Sequence, residues 1–279
     1  MSVLGPGLIG GSLLKAARAK IPGIRLQAWA RREAVRDQLR SEGGVVDEVF
    51  AEVNDAIKGA DLIVLAMPTG AMARVVEQFS AESLNPGALV TDVGSVKGSV
   101  IREVAPLVSA LGARFWGSHP MAGSENAGLE FSESSLFEGA SIILTPPGEE
   151  NLTPDPALKL FWELLGGQVS VIGAARHDAI VASISHLPHL IAAALVRSVM
   201  TDDRDAAHFS GGGFRDTTRV AGGPEEMWSG ILSDNHEAVS ESLGKLIRDL
   251  EIWKAALDTL DREQLRGFLC EARQLRESL

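Results

Sequence analysis

The chain has 279 residues, 45% hydrophobic and 23% charged, the make-up of an ordinary soluble globular protein and not of a disordered one. That length fits two domains; no basic and apolar leader opens the chain, and no apolar run reads as long enough to cross a bilayer. The net charge of -11 disfavours nucleic acid, whose phosphates need clustered Lys and Arg, and the single cysteine, Cys270, forms no internal disulfide and suits a reducing cytoplasm.

The first element is Val3-Leu4-Gly5-Pro6-Gly7-Leu8-Ile9-Gly10, a short apolar strand running into a glycine-rich turn and a helix. The pattern is G-x-G-x-x-G. Gly5 allows a tight turn, Gly7 removes a side chain that would block a pyrophosphate, and Gly10 lets the helix sit close to the sheet. Leu8 and Ile9 open the helix, whose free N–H groups and dipole favour a phosphate. Only four residues precede Gly5, so the first strand is expected to be cut short or frayed at its start.

A second strand, Arg25 to Ala30, follows at βαβ spacing and ends in Arg31-Arg32-Glu33. An acidic residue here takes the ribose 2'-hydroxyl of NAD, whereas arginine accommodates the 2'-phosphate of NADP. Arg31 and Arg32 favour NADP over NAD; they also fit a solvated start to the helix Glu33 to Gly43, with Glu33 able to serve a hydroxyl if the turn shifts.

Asp61 to Pro68 reads as a strand buried on both faces, and Met67 and Pro68 leave its carboxyl end, where open α/β sheets bind ligands. A helix is expected from Ala71 to Phe79. Gly87 to Lys97 repeats the strand-to-loop plan; Ser95 is expected to cap a helix reaching Leu111, and its place at the sheet edge also puts it within reach of a ligand. A fifth unit carries Ser118-His119-Pro120-Met121-Ala122-Gly123-Ser124-Glu125, which holds His119 at a strand end beside the expected nicotinamide position. Two β segments, Ala140 to Thr145 and Gln168 to Ile172, flank an exposed loop from Pro146 to Pro156 and complete a mainly parallel, doubly wound sheet.

Strand signals stop near Gly173. Helical patterns then cover Arg176 to Met200, with a kink or restart at Pro188, roughly Pro224 to Leu257, and Arg262 to Leu279. The expected division is an α/β domain, residues 1–173, and an all-helical domain, residues 174–279, apolar enough to form a homodimer interface. His186 and His189 share a helix face but lack a carboxylate or cysteine in ligand spacing, so no metal site is expected. Gly211 to Ala221 presents Arg215 and Arg219 near a loop; an arginine fork suits a small di-acid, and an ion pair with Asp216 is the competing use.

Taken together, "GPGLIGGS", "TDVGSVK", "SHPMAGSE", "HD...SHLPH" and "GGGFRDTTRVA", in this order, resemble the prephenate/arogenate dehydrogenase family of tyrosine biosynthesis. The resemblance spans nearly the whole chain. It implies a Rossmann-type domain followed by a helical dimerisation domain, a small-molecule substrate, and oxidative decarboxylation with hydride transfer to NAD(P). It further implies His119 as the group that accepts the ring hydroxyl's proton, titrating near neutrality, with Ser95 orienting it or the substrate. By the same resemblance Arg219 holds a substrate carboxylate, Glu125 and His189 line the pocket, and His177 lies close by. The chain ends after the helical half, which implies that any feedback by tyrosine acts at the active site. Two other readings compete: a two-domain hydroxyacid dehydrogenase, which predicts a lysine-centred helix absent from Arg176 to Met200, and a non-catalytic NADP-binding sensor.

Overall fold

The computed structural model describes residues 1–123, 126, 128–148 and 152–278. Its sheet comprises β1 (Ser2–Leu4), β2 (Gln27–Trp29), β3 (Glu48–Phe50), β4 (Leu62–Leu65), β5 (Leu89–Asp92), β6 (Arg114–Pro120), β7 (Ser141–Thr145) and β8 (Gln168–Val171). The order is β3-β2-β1-β4-β5-β6-β7-β8. All neighbours run parallel except β6 and β7. Helices α1 (Leu8–Lys20), α2 (Glu33–Ser41), α3 (Val53–Ile57), α4 (Thr69–Val76), α5 (Gly98–Glu103), α6 (Ala105–Ala110) and α7 (Pro156–Leu164) supply the crossovers. This is the expected doubly wound, mainly parallel arrangement, and the chain reverses strand order beside β1, where such sheets bind ligands.

Alternation along the strands divides the core between the two faces. Val3 and Val64 belong with Leu13, Leu14, Phe137 and Trp162 on one side; Leu4, Ile63 and Leu65 belong with Met72, Val90, Val100 and Phe115 on the other. The first strand is not frayed. Its three residues are all buried and pair with β2 and β4, and the terminal ammonium donates to the Arg25 carbonyl at 2.8 Å.

Several elements differ from the sequence reading. Strand β3 and helices α3 and α7 carry too few residues, or too mixed a pattern, for periodicity to announce them. The helix expected to run to Leu111 is divided into α5 and α6 at Val104, ahead of Pro106. Ser95 caps neither; the cap position of α5 is Lys97.

The helical part comprises α8 (Ala174–Val181), α9 (Leu187–Asp202), α10 (Gly212–Thr218), α11 (Glu225–Asp234), α12 (His236–Asp258) and α13 (Arg262–Glu277). A π-helical turn, Ala182–His186, joins α8 to α9. It widens the helix just before Pro188, which lacks an N–H for the normal ladder, so the expected kink is taken up without a break. The run Ala174–Asp202 has 29 residues, and an 18-residue stretch within it has a mean hydropathy of 1.8, long and apolar enough by length and composition to cross a membrane, against the sequence expectation. His177, Asp178, His186 and His189 are nevertheless buried within it.

By compactness the chain divides into Met1–Asn235 and His236–Leu279, so α8 to α11 belong with the sheet although the change of secondary structure comes at Gly173. Within the second unit, α12 and α13 pack with Trp253 and Phe268 ring centroids 5.0 Å apart, and the Asp261 side chain accepts from the Gln264 amide at 2.9 Å. Ile247, Leu250, Leu257 and Leu269 of this unit are exposed.

Candidate active site

The turn between β1 and α1 tests whether a dinucleotide fits. Gly5 has φ +95°, and a Cβ there would stand 2.8 Å from the Ala66 carbonyl oxygen; on Gly10 it would meet the Gly5 carbonyl oxygen at 2.6 Å. Gly7 is different: a Cβ there would meet no protein atom within 4 Å. The first two glycines therefore close the turn, and the third leaves its outer side open to a phosphate. Among the described residues no side chain caps α1, so its leading amides keep their donors. The residues present fit a dinucleotide.

Beside this turn, the Gly5 amide donates to the Trp29 carbonyl at 3.0 Å, which places the end of β2 against the glycines. Arg36 Nη1 donates to the carbonyls of Ala30 and Arg31 at 2.8 and 3.0 Å and so fixes the backbone that presents Arg31 and Arg32, both exposed. Met67 and Pro68 follow β4, half-buried and exposed respectively, immediately before α4.

His119 sits near the end of β6, 8% exposed. Its Nδ1 lies 2.8 Å from Nε2 of His177, and Nδ1 of His177 lies 2.7 Å from Oδ1 of Asp178. Asp178 also accepts from the Lys97 amide at 2.8 Å and the Gly98 amide at 2.7 Å, capping α5 from another helix. A carboxylate only accepts, and with both imidazoles neutral this fixes the sequence of donors. His177 donates from Nδ1, its Nε2 accepts from His119 Nδ1–H, and His119 Nε2 is left with a lone pair. Burial would raise the Asp178 pKa, but the hydrogen bonds from His177 and the two amides outweigh it and hold the carboxyl below its usual range. Burial, then His177, Lys97 and His186, hold His119 well below the usual imidazole value. It does not titrate near neutrality, as expected from sequence, but stays unprotonated there.

Below this row lies a fully buried pair. Lys97 Nζ donates to the Asp92 carboxylate and, at 2.8 Å, to the Ser118 carbonyl; both charged side chains are 0% exposed. Asp92 Oδ2 further accepts from the Gly94 amide at 2.8 Å. Burial raises Asp92 and lowers Lys97, so a proton can pass within the pair while its net charge stays zero.

A second cluster adjoins the relay through Asn235, whose Nδ2 donates to the Asp178 carbonyl at 2.9 Å and to His186 Nδ1 at 3.1 Å. Burial depresses His186 to about 4. His189 stacks on Trp228 with ring centroids 3.5 Å apart, and burial lowers its pKa too. His186 Nε2 and His189 Nδ1 are buried with no hydrogen-bond partner among the described residues. Buried ring nitrogens without a protein partner have hydrogen-bonding capacity left for a water or a ligand.

Residues 18–171 match the family model "Prephenate dehydrogenase, nucleotide-binding domain", and residues 173–271 match "Prephenate dehydrogenase, dimerization domain". The chain belongs to the prephenate dehydrogenase family. A cyclohexadienyl dehydrogenase of Zymomonas mobilis is 32% identical over 100% of this chain and 95% of its own length. A prephenate dehydrogenase of Bacillus subtilis is 30% identical over 99% of this chain and 74% of its own length. Among solved structures, prephenate dehydrogenase from Aquifex aeolicus, in complex with hydroxyphenyl propionate and NAD+, superposes with a TM-score of 0.89 at 30% identity, covering 99% of this chain and 96% of that one. Synechocystis arogenate dehydrogenase gives 0.79 at 29%, covering 99% and 98%. The protein is thus a dehydrogenase that uses a nicotinamide cofactor, with the family's dimerisation domain.

Of the residues expected to form a prephenate dehydrogenase site, His119 and His177 are in direct contact and His189 lies in the adjoining cluster. Ser95 is half-buried in the loop after β5, two residues before Lys97. Arg219 is exposed, in the 3-10 turn Arg219–Gly222, and Glu125 lies outside the described residues. Sequence reasoning missed Asp92, Lys97, Asp178, Trp228 and Asn235. Asp92 and Lys97 stood inside the quoted motif "TDVGSVK", and Asp178 beside His177; charge inside an apolar stretch was the available signal.

Proposed function

We propose that this chain catalyses the oxidative decarboxylation of prephenate or arogenate, with NADP favoured over NAD. The observation that carries the reading is the Asp178–His177–His119 row, which presents a lone pair on a buried, neutral imidazole at the carboxyl edge of the sheet. A bound nicotinamide supplies the hydride acceptor.

His119 Nε2 accepts the proton of the substrate's ring hydroxyl as the carbon bearing it loses hydride. The C–C bond to the ring carboxylate then breaks, carbon dioxide leaves with no hydrogen attached, and the electron pair completes the aromatic ring. The ring oxygen takes the proton back from His119, so none is released overall. Gain of aromaticity makes the step effectively irreversible. His177 shares the charge that develops on His119, and Asp178 stabilises it from the far end of the row. Ser95 orients the hydroxyl, Arg219 holds a substrate carboxylate with its guanidinium fork, and His189 lines the pocket.

Gly5, Gly7, Leu8, Ile9 and Gly10 receive the cofactor pyrophosphate, Met67 and Pro68 border it, and Arg31 and Arg32 meet the 2'-phosphate. Residues 1–173 form the cofactor part and 174–279 the substrate and dimerisation part, a division supported by the two family matches. The exposed Leu250, Leu257 and Leu269 support association of two copies through the helical part. The net charge of -11 supports a small-molecule ligand over nucleic acid. Initial rates with prephenate or arogenate, each with NAD or NADP, test the reading. Turnover with one substrate, abolished in His119→Asn, supports it; cofactor binding without turnover in all four combinations overturns it.

A further inference from the structure

Strand β5 ends early. Its last pairing with β6 is Asp92 opposite Gly117, whereas β6 continues against β7 through Ser118, His119 and Pro120. The strand end that carries His119 therefore projects past its neighbour on one side, and a projecting strand end has carbonyls with no ladder donor. Lys97 supplies one. Its ammonium donates to the carbonyl of Ser118, the first residue beyond the shared register, and is itself held by Asp92, the last residue of β5.

The same residue works from its other end. The Lys97 backbone amide donates to Asp178 Oδ1, the oxygen that also receives His177 Nδ1–H. Lys97 thus touches both supports of His119: the backbone just before it, and the carboxylate that ends its hydrogen-bonded row. Gly117 makes the arrangement possible. A Cβ there would stand 2.3 Å from Thr145 Oγ1, 3.1 Å from Lys97 Cδ and 3.4 Å from Asp92 Oδ1. A fully buried ion pair contributes little net stability relative to apolar residues of the same size, so its place here calls for a use beyond folding.

From this geometry we infer that Lys97, held by Asp92, is a positioning residue for His119: it substitutes for the missing end of β5 and fixes where the imidazole stands. The inference rests on the proposed role of His119 as base. It also assigns the pair an electrostatic part. The titratable groups around His119 are His177 and Asp178 from α8, His186 from the π turn, and Lys97 with Asp92 at the β5 edge. Of these, Lys97 is the cation held against the strand that carries His119, and removing it lets the imidazole take up a proton at higher pH.

The test compares Lys97→Met with the double variant Asp92→Asn/Lys97→Met, in which no unpaired carboxylate remains to unfold the protein. Two readouts are taken. One is kcat/KM against pH; the other, independent of turnover, is the titration of His119 followed by 15N NMR of the imidazoles in the full-length protein. Expected are a loss of about 10- to 100-fold in kcat/KM in both variants, the factor that one charge-assisted hydrogen bond represents, with cofactor affinity retained, and a His119 titration moved to higher pH in Lys97→Met, where the Asp92 carboxylate stays without its cation. An unmoved titration in folded Lys97→Met, or double-variant activity within twofold of the parent, overturns the inference. If the parent protein turns over neither substrate, the function reading fails instead, and the NMR titration still decides the role of Lys97.

Discussion

Replacing Asp178 by Asn tests the hydrogen-bonded row most directly. The carboxylate receives donors from His177 Nδ1, the Lys97 amide and the Gly98 amide at 2.7, 2.8 and 2.7 Å. An amide has one acceptor oxygen, so in either orientation its NH2 group faces a donor. With the oxygen at the Oδ1 position, the His177 tautomer survives and the half-buried Gly98 N–H loses its partner, at a cost of up to about 1–3 kcal/mol in stability. With the NH2 group there, His177 Nδ1 must accept, its Nε2 becomes a donor, and His119 is forced to carry its proton on Nε2, where the lone pair is needed. Loss of charge assistance alone corresponds to about 1.5–3 kcal/mol, and a reversed tautomer in a comparable triad costs about 10⁴ in kcat. The expected fall in kcat therefore lies between about 10 and 10⁴, with KM for the cofactor changed little. Stopped-flow or steady-state absorbance of the reduced cofactor reads kcat, and a thermal melt reads stability. A variant that melts several degrees lower yet keeps kcat within threefold would refute the row as a catalytic device and leave Asp178 as a helix cap.

Gly7→Ala and Gly10→Ala separate turn geometry from ligand approach: with no protein atom within 4 Å of its added methyl, Gly7→Ala keeps its melting temperature and raises KM for the cofactor at least tenfold, whereas Gly10→Ala, 2.6 Å from the Gly5 carbonyl, loses stability. Arg31→Glu with Arg32→Glu lowers the ratio of NADP to NAD efficiency by about 10-fold or more, as expected for removing charge-assisted contacts to a phosphate; an unchanged ratio would assign both arginines to the solvated helix start. His186 carries the pH prediction. Its folded value of about 4 lies below the ordinary 6.5, so the unfolded chain binds the proton first, and the stability it contributes is complete above 6.5 and lost as pH falls toward 4. His186→Gln should flatten that decline in urea melts taken across this range; a decline as steep as in the parent would show that other groups cause it.

The expectation for α5 shows why a local signal misled. Ser95 has the chemistry of a cap and stands just before a helix, but the helix begins at Gly98 and takes its acceptor from Asp178, eighty positions from Gly98 in the chain. Nothing near Ser95 could reveal that. His119 was legible as a candidate site residue from its place in the chain, and as a candidate base from the family resemblance, yet its ionisation was not, because the pKa depends on burial and on His177, Lys97 and His186, which only folding brings near. Asp92 and Lys97 were present in a quoted motif and passed over, since charged residues five apart read by default as solvated.

What the sequence determined by itself is what short-range steric rules govern. Glycine spacing specified the turn at Gly5, Gly7 and Gly10; near-continuous apolar runs specified the buried strands; the loss of strand patterning near Gly173 marked where helices take over; and Pro188 marked the irregular turn before it. Tertiary structure decided everything that depends on distance through space: the early end of β5 beside a longer β6, the cap that α8 gives to α5, the tautomer of His119, and the use of Lys97 as a stand-in for a strand. Hydrogen bonds and charges act over a few ångströms with no regard to separation along the chain, so their partners are chosen only once the sheet and helices have packed.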